Sequence, residues 1–335
     1  MFLSCRRYEL VKEKYIIGVD LGGTWVRLAL SNKEGNFLGK VQKRVNKSSD
    51  KAIGNQIITI IRLLCKESNV DSASLEGVGI AATGPLDLKK GALIEPTNLP
   101  FGYVPLAKPI NRELGLPTYL VNDCTAAVLG ERRFGAGKGL DNIVYITIGT
   151  GIGGGAIVDG WLLLGKDGNA VEVGHFTIDF RGRLMCGCGK KGHWEAYCSG
   201  RNIPNFVRMR LEEIDKKLVK RSLLFKKVKG DLSKLSSEGI FNVAKSGDDL
   251  SLQLIEEIGI LNAIGFANVI NAYDPSLITV GGTVTLKNKK LVLSPIKKYV
   301  KNYALNRLPK IMVTPLDEDV GMYGAVAAVL KFGSQ

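Results

Sequence analysis

Apolar and polar positions follow two periods along the chain. Residues 15–30, YIIGVDLGGTWVRLAL, place apolar and β-branched side chains on both sides of Gly22 and Gly23, the pattern of strand, tight glycine turn and strand. GNFLGKVQKRV continues as a further strand up to a polar break over 46–50. From 51 to 68 the spacing changes: Ile53, Ile57, Ile60, Ile61 and Leu64 share one face of an amphipathic helix. EGVGIAATGPLD reads as a buried strand running into a Gly–Pro loop, and EPTNLPFGYVPLAKPI as a proline-punctuated loop leading to a short helix. PTYLVND predicts a strand whose end presents Asn122 and Asp123, followed by the helix TAAVLGERRFG.

The order β-β-β-α-β-α-β-α then begins again. Residues 143–158, IVYITIGTGIGGGAIV, repeat the design of 15–30, and the recurrence predicts two related α/β domains with a cleft between them. A third glycine turn lies in SLITVGGTVT at 276–285, after the apolar helix LIEEIGILNAIGFANVINAY. A basic helical stretch at 205–222, a lysine-rich segment at 287–303 and a small-residue helix at 320–330 complete the second half.

Length and composition agree with this layout. A chain of 335 residues exceeds one core, and 45% hydrophobic with 23% charged residues describes a soluble globular protein. The first residues lack the apolar run of a signal peptide, and no apolar segment approaches a membrane span. Six cysteines at 5, 65, 124, 186, 188 and 198 do not resemble a secreted disulfide scaffold, so a cytoplasmic protein with reduced thiols is expected. The net charge of +14 comes from two zones: residues 201–235 carry 11 Lys/Arg against 4 Asp/Glu, and 287–310 carry 8 against none. These are either solvated helix faces or a surface facing a polyanion.

Successive glycines leave backbone N–H groups open to a phosphate, and a nearby threonine adds a hydroxyl donor. Asp20 and Thr24 stand at the first such turn, and Thr147, Thr150 and Gly151 at the second; an acid at Asp20 could hold a hydrated Mg²⁺. GIGGGA at 151–156 fits a dinucleotide fingerprint but leads into a strand, and GAGKG at 135–139 lacks the remaining P-loop residues. Asp123 at a strand end suits a general base facing a ligand, but taken alone it is a helix N-cap first and a base second. Asn98, between prolines 96 and 100, is a turn residue first and a ligand donor second.

The stretch 172–195, EVGHFTIDFRGRLMCGCGKKGHWE, gathers both histidines of the chain and two cysteines. His175, Cys186, Cys188 and His193 make a four-ligand N/S set suited to tetrahedral Zn²⁺, though their spacing is not that of a zinc finger and loose clusters of this kind can bind nothing. Glu172 and Glu195, just outside, are either surface acids or acceptors for the hydroxyls of a polyol.

Eight segments in order carry a family resemblance over nearly the whole chain: DLGGT at 20–24, GPLD at 84–87, TNLP at 97–100, ND at 122–123, ITIGTGIGGG at 146–155, EVGH at 172–175, CGCGKKGHWE at 186–195 and ITVGG at 278–282. In these the sequence resembles the ROK family of sugar kinases, and within it the ATP-dependent hexokinases and glucokinases of archaeal type. The resemblance implies an α/β, actin-like (ribonuclease H-like) two-domain hexokinase fold with an interdomain cleft. The small domain would cover 1–122, with a C-terminal helix at 319–335 packing back on it, and the large domain 123–318.

The implied reaction is ATP-dependent phosphorylation of a hexose, glucose foremost, at the 6-hydroxyl. Asp123 would be the general base, and Asn98, Asn122, Glu172, His175 and Glu195 would hold the other hydroxyls beside the sugar loop containing Gly84. Asp20, Gly22, Gly23 and Thr24 would face the ATP phosphates and Mg²⁺, with Thr147, Gly149, Thr150 and Gly151 on the opposite side and Gly281 and Gly282 near the adenosine. His175 would put one ring nitrogen on a structural Zn²⁺ shared with Cys186, Cys188 and His193, and the other towards the sugar.

Sugar and ATP are then the small-molecule partners, with no nucleic acid or membrane, in a homo-oligomer for which the family expectation is a dimer. Related readings are a kinase for N-acetylmannosamine or N-acetylglucosamine and a polyphosphate-dependent glucokinase. A sugar-responsive ROK regulator would carry a helix-turn-helix before the first phosphate motif, where only 19 residues precede Asp20. The sequence departs from the family pattern at His193, where many members have a third cysteine, at Thr83, where proline often precedes GP, and over 208–235, which matches no family motif.

Overall fold

The computed structural model describes residues 13–96 and 99–333. The chain divides into two compact units, one of residues up to Val121 together with Ala325 onward, the other Asn122–Gly324.

The first unit opens with β1 (Tyr15–Leu21), β2 (Trp25–Asn32) and β3 (Phe37–Arg44), followed by α1 (Asp50–Glu67) and β4 (Leu75–Ala82). Three short strands, β5 (Leu86–Asp87), β6 (Ala92–Ile94) and β7 (Tyr103–Pro105), precede α2 (Ala107–Leu114) and β8 (Thr118–Asn122). The main sheet has the order β3-β2-β1-β4-β8, with β1 antiparallel to β2 and parallel to β4. Its inner strands read as nearly continuous apolar runs because both faces are covered: Ile17, Val19, Leu28, Leu30, Val78 and Ile80 are all buried. Ser49 starts α1 by accepting a hydrogen bond from the Ala52 N–H at 3.1 Å, and the helix buries Ile53, Ile57, Ile60, Ile61 and Leu64. The proline-punctuated loop expected after β4 holds a small antiparallel sheet, β5-β6-β7. Strands of two and three residues are too short to establish a hydrophobic period, which is why sequence alone did not reveal them.

The second unit follows the same plan. α3 (Asp123–Arg133) leads to β9 (Ile143–Ile148), β10 (Ile152–Val158) and β11 (Trp161–Leu162), and a long irregular stretch reaches α4 (Glu195–Cys198). Then come α5 (Ile203–Glu213), α6 (Lys216–Arg221), α7 (Leu223–Lys227), α8 (Ser237–Lys245) and α9 (Asp249–Tyr273). β12 (Leu277–Gly281), α10 (Thr283–Lys287), α11 (Lys289–Tyr299), β13 (Lys310–Val313) and α12 (Val320–Phe332) close the chain. The sheet order is β11-β10-β9-β12-β13, with β9 antiparallel to β10 and parallel to β12, so both units pair a glycine-turn hairpin with a parallel strand.

Two expectations are corrected here. The basic stretch 205–222 is not one helix: the side chains of Asp215 and Ser222 accept hydrogen bonds from the N–H groups of Lys217 and Phe225 and start new helices. The statement that no segment approaches a membrane span also fails for α9, whose 25 residues include a window of mean hydropathy 1.3. More than half of that window, 56%, is buried inside the protein, where α9 packs as the core helix of its unit.

α12 runs from the second unit into the first, with a close backbone approach in each. At Gly324 a Cβ would fall 2.1 Å from the Ala126 carbonyl oxygen, and at Gly79 of β4 one would fall 1.9 Å from the Ala325 carbonyl oxygen. Only glycine leaves room at either place.

Candidate active site

β8 hands the chain to α3 at Asn122, whose side-chain oxygen accepts hydrogen bonds from the N–H groups of Cys124 at 2.8 Å and Thr125 at 3.2 Å. Asn122 is therefore the helix cap, and the alternative in which Asp123 caps is corrected. Asp123 is the first helical residue, and its Oδ1 accepts from the Cys124 N–H at 2.8 Å. α3 can begin so close to β10 because Gly155 has no side chain: a Cβ there would lie 2.1 Å from the Cys124 carbonyl oxygen. Burial pushes the Cys124 thiol pKa well up, and the nearby carboxylates of Asp123 and Glu172 push it further.

The stretch 172–195 is pinned by Trp194. The indole is fully buried, donates from Nε1 to Oδ1 of Asn262 in α9 at 2.8 Å, and meets the Phe266 ring edge-on with 5.6 Å between centroids. His193 and Glu195 flank this anchor. On the other arm Gly174 sits against β10, where a Cβ would come within 2.1 Å of the Ile152 carbonyl oxygen, so Glu172 and His175 are drawn to the same place. Between the arms the Gly189 N–H donates to the Cys186 carbonyl at 2.9 Å, with Gly189 at a φ of 80°. That left-handed turn folds Cys186 and Cys188 back towards the histidines.

His175, Cys186, Cys188 and His193 converge, each offering one ligand atom, with all four atoms within 4.8 Å of one another. The two Nδ1 atoms are 3.3 Å apart, Cys186 Sγ is 3.7 Å from His175 Nδ1, and Cys188 Sγ is 3.3 Å from His193 Nδ1. A tetrahedral Zn²⁺ bound at ordinary lengths separates its ligands by about 3.3 Å between nitrogens and about 3.6 Å between nitrogen and sulfur. The donor set and spacing fit that ion. Burial, followed by the charge of His175, lowers the pKa of His193, which favours the neutral imidazole a metal needs. Cys186 is buried, and burial pushes its thiol up to about 12, so a cation would have to displace that proton.

Two carboxylates border this cluster. Glu195 Oε2 accepts from the Ile152 N–H at 2.9 Å, and Oε1 accepts from Cys186 Sγ at 3.5 Å. Glu172 Oε2 lies 3.9 Å from His175 Nε2, the ring nitrogen facing away from the cysteines. The Glu172 side chain keeps 48% of its surface exposed, yet partial desolvation, Asp123 and Glu195 raise its pKa while His175 opposes them. Asn122, Asp123, Glu172, His175 and Glu195 thus belong to one neighbourhood.

The glycine turns of the second unit adjoin it. Thr147 is the penultimate residue of β9, and the Gly149 N–H donates to the Gly151 carbonyl at 2.9 Å across the turn that carries Thr150. Gly281 ends β12, and Gly282, at a φ of 85°, starts α10 with no side chain because a Cβ would fall 2.6 Å from Thr147 Oγ1. This third glycine pair joins a strand to a helix, unlike the two hairpins. Beside Thr150 opens a pocket of about 480 Å³ whose walls include Arg201, Glu238, Asn242, Lys245 and Lys287.

In the first unit, Gly22, Gly23 and Thr24 form the turn between β1 and β2, and the hairpin register puts Asp20 directly opposite Arg27. The two form an ion pair that sequence reasoning missed. Its signal was present, since a three-residue turn after Leu21 fixes that register. Gly84 lies in the loop between β4 and β5, before Pro85. Asn98 lies outside the described residues. The pocket residues from 201 to 287 had no signal in the sequence, because they come from three separate segments, the turn at Arg201, α8 and α10.

The ROK family model matches residues 16–331. A glucokinase of Pyrobaculum calidifontis is 34% identical, over 95% of this chain and 95% of that protein. A xylose repressor of Caldicellulosiruptor bescii is 28% identical over 94% of this chain and 78% of its own length. Among solved structures, a ROK family glucokinase from Streptomyces griseus in complex with glucose and AMPPNP superimposes with a TM-score of 0.74 at 30% identity, covering 93% of this chain and 98% of that one. The fold is the actin-like sugar-kinase fold. Matched across nearly all its length and a third identical to a relative end to end, the chain belongs to the ROK family.

Proposed function

We propose that this chain transfers the γ-phosphoryl group of MgATP to the 6-hydroxyl of a hexose, with glucose the preferred acceptor. The observation that carries the reading is the double engagement of Glu195, which binds the Ile152 N–H at the end of a glycine turn and also faces Cys186. One carboxylate thereby ties the phosphate turn to the wall holding Glu172 and His175. Similarity to the glucokinases of P. calidifontis and S. griseus supports ATP as donor and glucose as acceptor.

In this reading Asp123 takes the proton of the 6-hydroxyl as O6 bonds to the γ-phosphorus and the bond to the bridging β-phosphate oxygen breaks. The products are the sugar 6-phosphate and ADP, and Asp123 returns the proton to solvent. Because such a transition state is loose, alignment and charge stabilisation supply most of the rate, and the proton leaves late. Glu172, His175 through Nε2, Glu195, Asn98 and the loop containing Gly84 hold the other hydroxyls. Asn122 uses its oxygen as the helix cap, so its NH₂ is the group it offers the sugar.

The N–H groups of Gly149 and Gly151, with Thr147 and Thr150, take the phosphates in the second unit, and Gly281 and Gly282 border the nucleoside. Asp20, Gly22, Gly23 and Thr24 receive phosphate and Mg²⁺ in the first. Asp20 fits a hydrated cation as a carboxylate beside an open glycine turn, and Mg²⁺ would there shield phosphate charge while Arg27 balances the acid. Zn²⁺, held by His175, Cys186, Cys188 and His193, supplies rigidity to the sugar wall and no chemistry.

An assay of ADP release with glucose, mannose, glucosamine, N-acetylglucosamine, N-acetylmannosamine and fructose tests the reading. Glucose should give the highest kcat/KM. Turnover confined to the N-acetyl sugars would replace the acceptor, and ADP release equal with and without sugar would overturn the kinase itself.

A further inference from the structure

We infer that Glu238 binds the ribose hydroxyls of the phosphoryl donor, so that the enzyme distinguishes ribonucleotides from 2′-deoxyribonucleotides. The inference rests on the reading above that the donor is a nucleoside triphosphate whose phosphates lie at Thr150. It concerns the pocket of about 480 Å³ that opens there and continues between α8 and α10, large enough for a nucleoside.

Glu238, Asn242 and Lys245 all line this pocket, and their spacing of four and three residues sets them on one face of α8. The start of that helix is fastened to the phosphate turn. Ser237 Oγ donates to the Gly200 carbonyl, the Gly200 N–H donates to the Gly149 carbonyl at 2.7 Å, and the Arg201 N–H donates to the Thr150 carbonyl at 3.2 Å. The far end is closed by Lys245, whose Nζ donates to the Lys287 carbonyl of α10 at 3.0 Å. A nucleotide entering from Thr150 therefore passes Glu238 first and Asn242 one turn, about 5.4 Å, later. That is the order of phosphate, ribose and base.

The chemistry matches the position. Glu238 is the one carboxylate among the residues lining the pocket, and among the described residues no hydrogen bond or ion pair engages it. An ionised carboxylate only accepts hydrogen bonds, and the ribose 2′- and 3′-hydroxyls are two donors on adjacent carbons. Arg201, Lys245 and Lys287 offer only donors, and Asn242 suits the mixed donor and acceptor edge of a base.

The test compares ATP with 2′-deoxy-ATP as donors for glucose phosphorylation in the wild type, Glu238→Ala and Lys245→Ala, and compares ADP with 2′-deoxy-ADP binding by calorimetry in the same proteins. The wild type should favour the ribonucleotide by about tenfold, the size of one charge-assisted hydrogen bond in a partly open site. Glu238→Ala should raise the KM for ATP by more than the KM for 2′-deoxy-ATP and so erase the preference between them, with the KM for glucose unchanged. Lys245→Ala should weaken both nucleotides alike and leave their ratio intact. Retention of the preference in Glu238→Ala, or its absence in the wild type, overturns the assignment. Should no hexose be phosphorylated, the kinase reading fails while calorimetry still decides the role of Glu238.

Discussion

Trp194 lies against Gly265 with no space between them: a methyl group on Gly265 would come within 2.3 Å of the indole Cδ2. His193 and Glu195 flank Trp194, so this core contact in α9 sets the position of a metal ligand and of a sugar-wall carboxylate. Gly265→Ala should destabilise the second unit by about 1–3 kcal/mol through overpacking. It should also raise the KM for glucose, although residue 265 is remote from the substrate. Denaturant unfolding and steady-state kinetics read the two effects, and a variant with unchanged stability would contradict the packing described.

Asp123 begins α3 while Asn122 caps it, so Asp123→Asn should leave the helix in place. If Asp123 is the general base, kcat should fall by about 10²–10⁴ with the KM for glucose changed only a few-fold. Near-normal turnover in the folded variant would remove Asp123 from the chemistry.

Zinc predicts a stoichiometry. The purified protein should hold close to one Zn²⁺ per chain, and Cys188→Ser or His193→Ala should lower that content, reduce thermal stability and raise the KM for glucose more than they lower kcat. Elemental analysis with kinetics on the same samples separates the effects. Full activity and stability after complete chelation would show that the four side chains need no metal.

Glu131 of α3 is 1% exposed, and burial raises its carboxyl pKa against the opposing hydrogen bonds from Thr314, the Ala136 N–H and Thr279. The folded chain then binds this proton more tightly than the unfolded chain does. Its contribution to stability is complete below the ordinary carboxylate value of about 4.3 and is lost as pH rises through the higher folded value. Glu131→Gln, which cannot ionise, should therefore gain on the wild type as pH rises from about 4.3 through the raised folded value. Urea unfolding across that range measures it, and a constant difference between the two proteins would refute the linkage.

Much of the framework was legible before any coordinates. The glycine pairs at 22 and 149–151 announced two hairpins because strands flanking a tight turn must be apolar and β-branched on both sides, and both hairpins are present at the centre of their sheets. The Cys and His residues of 172–195 pointed to a cluster because few other roles suit those side chains among so many glycines. The short strands β5 to β7, the breaks at Asp215 and Ser222, and β13 were hidden, since elements of two to six residues rarely span a full hydrophobic period.

What the sequence determined by itself was periodicity and chemistry: which segments are strands or helices, and which residues could carry a proton, a phosphate or a metal. Tertiary structure alone decided which of them meet. Glu195 reaches Ile152 across 43 positions, Trp194 reaches Asn262 across 68, and the pocket beside Thr150 draws Glu238 and Lys287 to one opening. Such pairings leave no period in the chain, because they depend on how sheets and helices pack, and packing turns on steric detail such as the bare backbones of Gly155, Gly174 and Gly265.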